Sequence, residues 1–214
     1  MTGPQGASTR HPPRASHSAW RYDGADVVIY RQIAGSSRFL VADLLLLPAL
    51  VLGTIGLAGL ARRDSGSFGD VARVTAIVGG ALAIAQTGVE LQALRQQART
   101  FAAAASLDRV GAFWSTNSLD RLNGALTASW IVLLLGVTPL LLALIQLTAR
   151  TAPRGVALVG CAGGVICAGV GVVNLLSQDQ GHADLAFLVG SLLITAWILT
   201  TGYLLWRNPE WHVG

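Results

Sequence analysis

Two carboxylates stand where carboxylates are costly. Asp43 lies about one turn into an apolar stretch, and Glu90 lies near the end of another. An ionisable side chain inside a membrane segment is rare, and it marks either a functional group or a strongly paired one. Glu90 has the richer surroundings. Gln86, Glu90, Ala93 and Gln97 fall on one face at helical spacing, with Gly79 and Ala83 one or two turns earlier. A face that is small and polar points into a helix bundle rather than at lipid. The chemistry open to Glu90 is proton carriage or cation binding. The alternative is a structural carboxylate paired with Arg95, Arg38 or Arg121 near the headgroups. Asp43 either supports Glu90 or sits at the interface facing Arg38 or water. Asn174 completes the candidate polar set with Asp43, Gln86 and Glu90. Asn174 and Gln146 read first as hydrogen-bond partners between helices.

The remaining reactive residues exclude more than they suggest. All 15 basic residues are arginine. Without lysine there is no Schiff-base amine, no lysine nucleophile and no phosphate-loop lysine. His11, His17, His182 and His212 fall outside every long apolar run, and Met1 is the only methionine. Axial ligation of a haem within the membrane is therefore not expected. Cys161 and Cys167 lie six positions apart on different faces of one helix, too far apart to pair, and neither has a ligand partner at metal-site spacing. His182 with Asp179 and Asp184 reads as a solvated acidic loop that could titrate or hold a cation weakly. No HExxH, GxSxG or CxxC occurs. No cofactor, no metal and no enzymatic activity are expected.

These groups must be positioned by apolar helices. Of 214 residues, 52 % are hydrophobic and 12 % charged, about half the charge usual in a soluble domain. Five segments have roughly the 20 residues that cross a bilayer as a helix: 39–61, 74–94, 124–147, 156–176 and 185–206. Helices are required, because an isolated strand leaves its backbone unpaired in lipid. The expected fold is an all-α polytopic transmembrane helical bundle of about five spans. Residues 1–37 read as a disordered polar tail rather than a signal peptide, with Val27–Tyr30 as a patch that folds locally or rests on the membrane. Residues 38–207 form the transmembrane domain, and 208–214 a short C-terminal tail.

Threading five spans brings Asp43, Glu90, Asn174 and the loop of His182 to one side, called side A, with the N-terminal stretch. Arg95, Arg99 and Arg121 border the same layer. Side B carries the short connections of Arg62, Arg63 and Arg73 and of Arg150 and Arg154. A raw arginine count favours side A, leaning on distal arginines of the N-terminal stretch, whereas those two hairpins, set against an arginine-free fourth connection on side A, tip the balance to side B as cytoplasmic. Residues 98–114 are alanine-rich, with Ala103, Leu107, Val110 and Trp114 on one face. They form either an interfacial helix or an extension of the second span packed on its own protein. Asn117–Asp120 resembles a capping box ahead of the third span. Pro48 and Pro139 bend their spans, and Thr138 bonds backward to ease the defect. Gly160 and Gly164, extended by Ala168, form a small-residue ridge for close helix packing, within the chain ahead of dimerisation. Ser191, Thr195 and Gly202 give the fifth span a similar face. Trp114, Trp130, Tyr203, Trp206 and Trp211 read as interfacial anchors, and Trp197 as buried packing.

The order from Val74 to Arg207 runs as a long polar connection, a Leu-rich span, the Arg154-Gly155 turn, a Gly-rich span and a last span ending Leu205-Trp206-Arg207. It resembles small bacterial multi-span membrane proteins grouped as domains of unknown function. Such proteins often show one further N-terminal span, where this chain has the polar stretch. They share no agreed activity, so the resemblance implies no catalytic residue. All-arginine usage with abundant Ala and Gly fits a high-GC bacterial genome. The expected role is a non-enzymatic accessory or scaffold component of the bacterial cell (inner or plasma) membrane. Its expected partners are the lipid bilayer and other membrane subunits or a second copy, with no nucleic acid. The alternatives are a small transporter or proton-coupled component using Glu90 and Asp43 and, with least support, an enzyme acting on lipid at side A.

Overall fold

A computed structural model describes residues 24–35, 37–63, 66–105, 108–177 and 184–207. Among them every regular element is a helix. Helix α1 is Gly24–Gly35 and α2 is Ser37–Ala61. The next helix runs continuously over Ser67–Ala103 as α3 (Ser67–Gly88), a π-helical segment Val89–Leu94 and α4 (Arg95–Ala103). A second long helix, Arg109–Ala149, comprises α5 (Arg109–Trp130), a π-helical segment Ile131–Val137 and α6 (Thr138–Ala149). Helices α7 (Arg154–Ser177) and α8 (Asp184–Arg207) follow. Five helices are long and apolar enough to cross a membrane, in register with the five segments expected from hydropathy.

The spans pack in chain order. Helix α2 lies on α3, α3 on the long third span, the third span on α7, and α7 on α8. Small residues set these approaches. At Gly79 a Cβ would sit 2.7 Å from the backbone nitrogen of Leu134, and at Gly80 it would collide with Thr54. Helix α7 is small on two faces. Gly164 and Gly171 admit the third span: added Cβ atoms there would lie 2.8 Å from the Gly136 carbonyl oxygen and 2.9 Å from that of Ala128. Gly163 admits Ile194 of α8, and Gly160 fits between Ala143 and the Trp197 ring. Ala168 stacks opposite Gly136. The expected Gly160–Gly164–Ala168 ridge is thus used inside the chain. The corresponding face of α8 is not: Thr195 and Gly202 are exposed.

Pro139 lacks the amide that an α-helix would use, and the preceding turn widens into the π segment. There the Thr138 amide bonds the Leu133 carbonyl, five residues back. The Thr138 hydroxyl also donates to that carbonyl at 2.8 Å and lies 2.9 Å from the Thr75 hydroxyl of α3. The expected backward bond is present, and it doubles as a tie between spans. Helix α2 continues through Pro48 without interruption.

The second and third spanning helices, of 37 and 41 residues, reach roughly 55 and 60 Å at 1.5 Å per residue, against ~30 Å of hydrocarbon. Their excess forms a helical hairpin, α4 with the first half of α5, on side A. Helix α1 docks on it through a small second core of Tyr30, Ala98, Phe101 and Phe113. Tyr30 is 1 % exposed and meets both Phe rings at about 6 Å.

Four expectations change here. Residues 24–35, assigned to a disordered tail, form a helix held by the Tyr30 contacts; residues 1–23 and 208–214 lie outside the described residues. Residues 98–114 are not one interfacial helix: α4 ends at Ala103 and α5 starts at Arg109. The extension reading holds for 98–103 only, since 109–114 opens the third spanning helix; Ala98, Phe101 and Phe113 are buried where the two meet, while Val110 and Trp114 are exposed. Asn117–Asp120 lies inside α5 and caps nothing, because the helix begins two turns earlier. Trp130 is 8 % exposed within the spanning core, not an interfacial anchor. Tyr203 and Trp206 are exposed and adjacent at the side B end of α8, as anchors are.

Candidate functional site

The site starts at the turn where α3 becomes π-helical. Gln86 is buried on the last turn of α3. Its Nε2 donates to Glu90 Oε2 at 2.6 Å and to Asn123 Oδ1 of α5 at 3.1 Å. One amide nitrogen therefore ties the second span to the third and holds the Glu90 carboxylate in place. The π segment adds a residue to the turn carrying Glu90, with the Arg95 amide bonding the Glu90 carbonyl five residues back. π-Helical turns of this kind cluster at functional positions.

Asp43 arrives from α2. It lines one small, partly open pocket with Glu90, Leu91, Arg95, Leu40 and Ile33. Asp43 lies within electrostatic reach of both Glu90 and Arg95. Helix α1 contributes Ile33, so the docked N-terminal helix forms part of the wall. Counting from Val74, where the apolar run begins, Glu90 lies roughly 24 Å along the helix axis, near the side A edge of a ~30 Å hydrocarbon layer. The pocket is thus at the headgroup boundary.

Antiparallel threading correctly brings Asp43 and Glu90 to one place. The described geometry does not add Asn174 to that pocket. Asn174 Oδ1 is buried with no hydrogen-bond partner among the described residues. Gln146 forms a separate interhelical group toward side B, accepting from Trp197 Nε1 at 2.9 Å and donating to Thr201 Oγ1 at 3.5 Å. Of the arginines proposed as partners for Glu90, Arg95 is in the pocket, Arg121 is exposed, and the Arg38 side chain lies outside what is described.

Asn123 and Tyr30 also belong to this region, Tyr30 reading in the sequence only as part of the Val27–Tyr30 patch. Asn123 precedes the apolar run of the third span, and a lone polar residue there reads as connection. Only the facing of α3 and α5 reveals it as the acceptor for Gln86. Tyr30 places its hydroxyl 3.4 Å from Asn117 Oδ1 and 3.3 Å from Asp120 Oδ2. Nearby, Arg99 Nε donates to the Ala34 carbonyl at the end of α1, and Thr116 Oγ1 reaches the Gln97 carbonyl across the hairpin.

Among the described residues no group of three or more His, Cys, Asp or Glu converges on a metal position. His11, His17, His182, His212 and Trp211 lie outside the described residues. Cys161 and Cys167 are free, and Cys167 is buried where α7 meets Gly190. The fold and site define a helical protein of the membrane type, with a polar pocket at one edge of its spans. No family model, no curated protein and no solved structure matches the chain.

Proposed function

We propose that this chain is a non-enzymatic accessory or scaffold component of a bacterial cell membrane. One observation carries the reading: the spans pack in chain order, each mainly on its sequence neighbours. The outer spans are left largely uncovered. Only 17 % of the most apolar stretch of the first and 22 % of the fifth is buried, against 44 % for the third. Two flanks are therefore open to lipid, to another subunit or to a second copy. On α2, Gly53, Gly56 and Gly59 have nothing within 4 Å of where a Cβ would sit, so a partner helix can come close there. Side B faces the cytoplasm in this reading, and the α1–α4–α5 hairpin presents its surface on the opposite side.

The test is purification in mild detergent after cross-linking from a cysteine placed at Gly56. A defined adduct, with another membrane chain or with a second copy, is expected. A strictly monomeric species with no co-purifying chain sinks the proposal.

A second reading has its own support, since Asp43 and Glu90 share one pocket. In it, the chain is a proton-coupled component that uses Glu90 with Asp43 in support. Glu90→Gln would then abolish a flux measured in proteoliposomes while leaving the fold intact. Loss of stability with no change in any flux leaves Glu90 a structural group.

A further inference from the structure

The side A pocket has a definite chemical character. Its polar wall carries two carboxylates, Asp43 and Glu90, and one guanidinium, Arg95. With all three ionised the wall sums to one negative charge. Its remaining lining is apolar: Leu40 from α2, Leu91 from the π segment and Ile33 from α1. The opening has room for a single water-sized group. It lies at the headgroup edge of the hydrocarbon layer, and just beyond it α2 exposes Leu44 and Leu45 to the acyl region. Gln86 already occupies one oxygen of Glu90, which fixes the carboxylate and leaves its other oxygen with acceptor capacity.

We propose that this pocket binds the primary ammonium of an aminophospholipid headgroup. A primary ammonium is close to water in size, offers three donors and supplies the single positive charge that the described wall residues leave unbalanced. Charge-assisted hydrogen bonds in a partly apolar wall are stronger than neutral ones. A trimethylammonium group has no N–H to donate to the carboxylates, so choline headgroups are disfavoured by chemistry. The chemistry therefore selects phosphatidylethanolamine over phosphatidylcholine, which carry the same net charge. The inference is independent of the scaffold role, because co-purification of a partner chain does not bear on which lipid fills this pocket.

The experiment uses the full chain in nanodiscs of phosphatidylglycerol doped with equal fractions of phosphatidylethanolamine or phosphatidylcholine. Lipid retention is read by native mass spectrometry and stability by thermal unfolding. Phosphatidylethanolamine is expected to be retained about tenfold more strongly than phosphatidylcholine and to raise Tm. Asp43→Asn and Glu90→Gln, both near-isosteric, are each expected to remove most of that preference. Equal retention of the two lipids by the unmodified protein overturns the proposal without any variant. So does an undiminished preference in both variants. Soluble ethanolamine added to phosphatidylglycerol nanodiscs separates the sources: if it reproduces the full Tm rise, the ligand is a free amine and the lipid assignment fails.

Discussion

Gln86 carries two acceptors on one amide nitrogen, Asn123 buried and Glu90 part-buried, which makes it the residue on which the polar layer depends. A buried polar group that loses its partner bears its whole desolvation penalty, whereas a satisfied one contributes little net stability. Gln86→Leu would strand Asn123 Oδ1 and loosen Glu90 at the same time. The expected loss is about 1–2 kcal/mol of unfolding free energy in detergent, measured by denaturant titration. Gln86→Glu should be worse, since it sets a second carboxylate against Glu90. An unchanged midpoint for Gln86→Leu would show that the network does not hold the spans. Gln86, Glu90 and Asp43 are legible in the sequence because polar groups stand out within apolar runs. Asn123 is not, because at the start of a run its polarity looks like connection.

At the scale of elements, α7 does the positioning. Gly160, Gly163, Gly164 and Gly171 leave no room for a Cβ, and at Gly164 the nearest atom is main chain rather than a flexible tip. At Gly164 a Cβ would stand 2.8 Å from the Gly136 carbonyl oxygen and 2.9 Å from the Leu140 nitrogen. Gly164→Ala should therefore destabilise by roughly 1–3 kcal/mol through overpacking. Gly56→Ala on α2, where nothing lies within 4 Å, should be neutral or stabilise by up to about 1 kcal/mol. Thermal unfolding of the two variants side by side decides it; equal effects would contradict the packing described. The small-residue spacing on α7 was legible because period and residue size suffice to see it. The similar pattern on α8 shows the limit, since the spacing says that a face is small but not whether a neighbour covers it. The π segments were not legible either. A widened turn depends on how Pro139 and the Gln86–Glu90 turn meet the neighbouring helix.

Across the whole molecule, five spans put the side A hairpin and the Arg207 end of α8 on opposite faces of the membrane. Cysteines introduced at Ser67 and Ser177, in a Cys161→Ala/Cys167→Ala background, should label from opposite sides with an impermeant reagent. Labelling of Ser177→Cys from outside intact cells and of Ser67→Cys only after permeabilisation is the orientation proposed. The reverse pattern would invert the orientation and leave the five spans standing. Labelling of both from one side would contradict the span count itself. Packing in chain order also separates the polar groups. The polar group of Gln86, Glu90 and Asn123 at side A and that of Gln146, Trp197 and Thr201 toward side B lie between different pairs of helices. Among the described residues no hydrogen bond joins the two groups.

The sequence by itself determined the class of fold and the five spans. Hydropathy is a local property, and a bilayer demands that each segment satisfy its own backbone. It also determined that Asp43 and Glu90 share a side, since alternation of direction needs only the count of spans. Tertiary structure alone decided what each polar group touches. That α1 docks through Tyr30, that Asn123 takes the Gln86 amide and that Asn174 stands outside the pocket all follow from the rotation of each helix about its axis. That rotation is set by packing against neighbours distant in sequence. No window along one segment contains it.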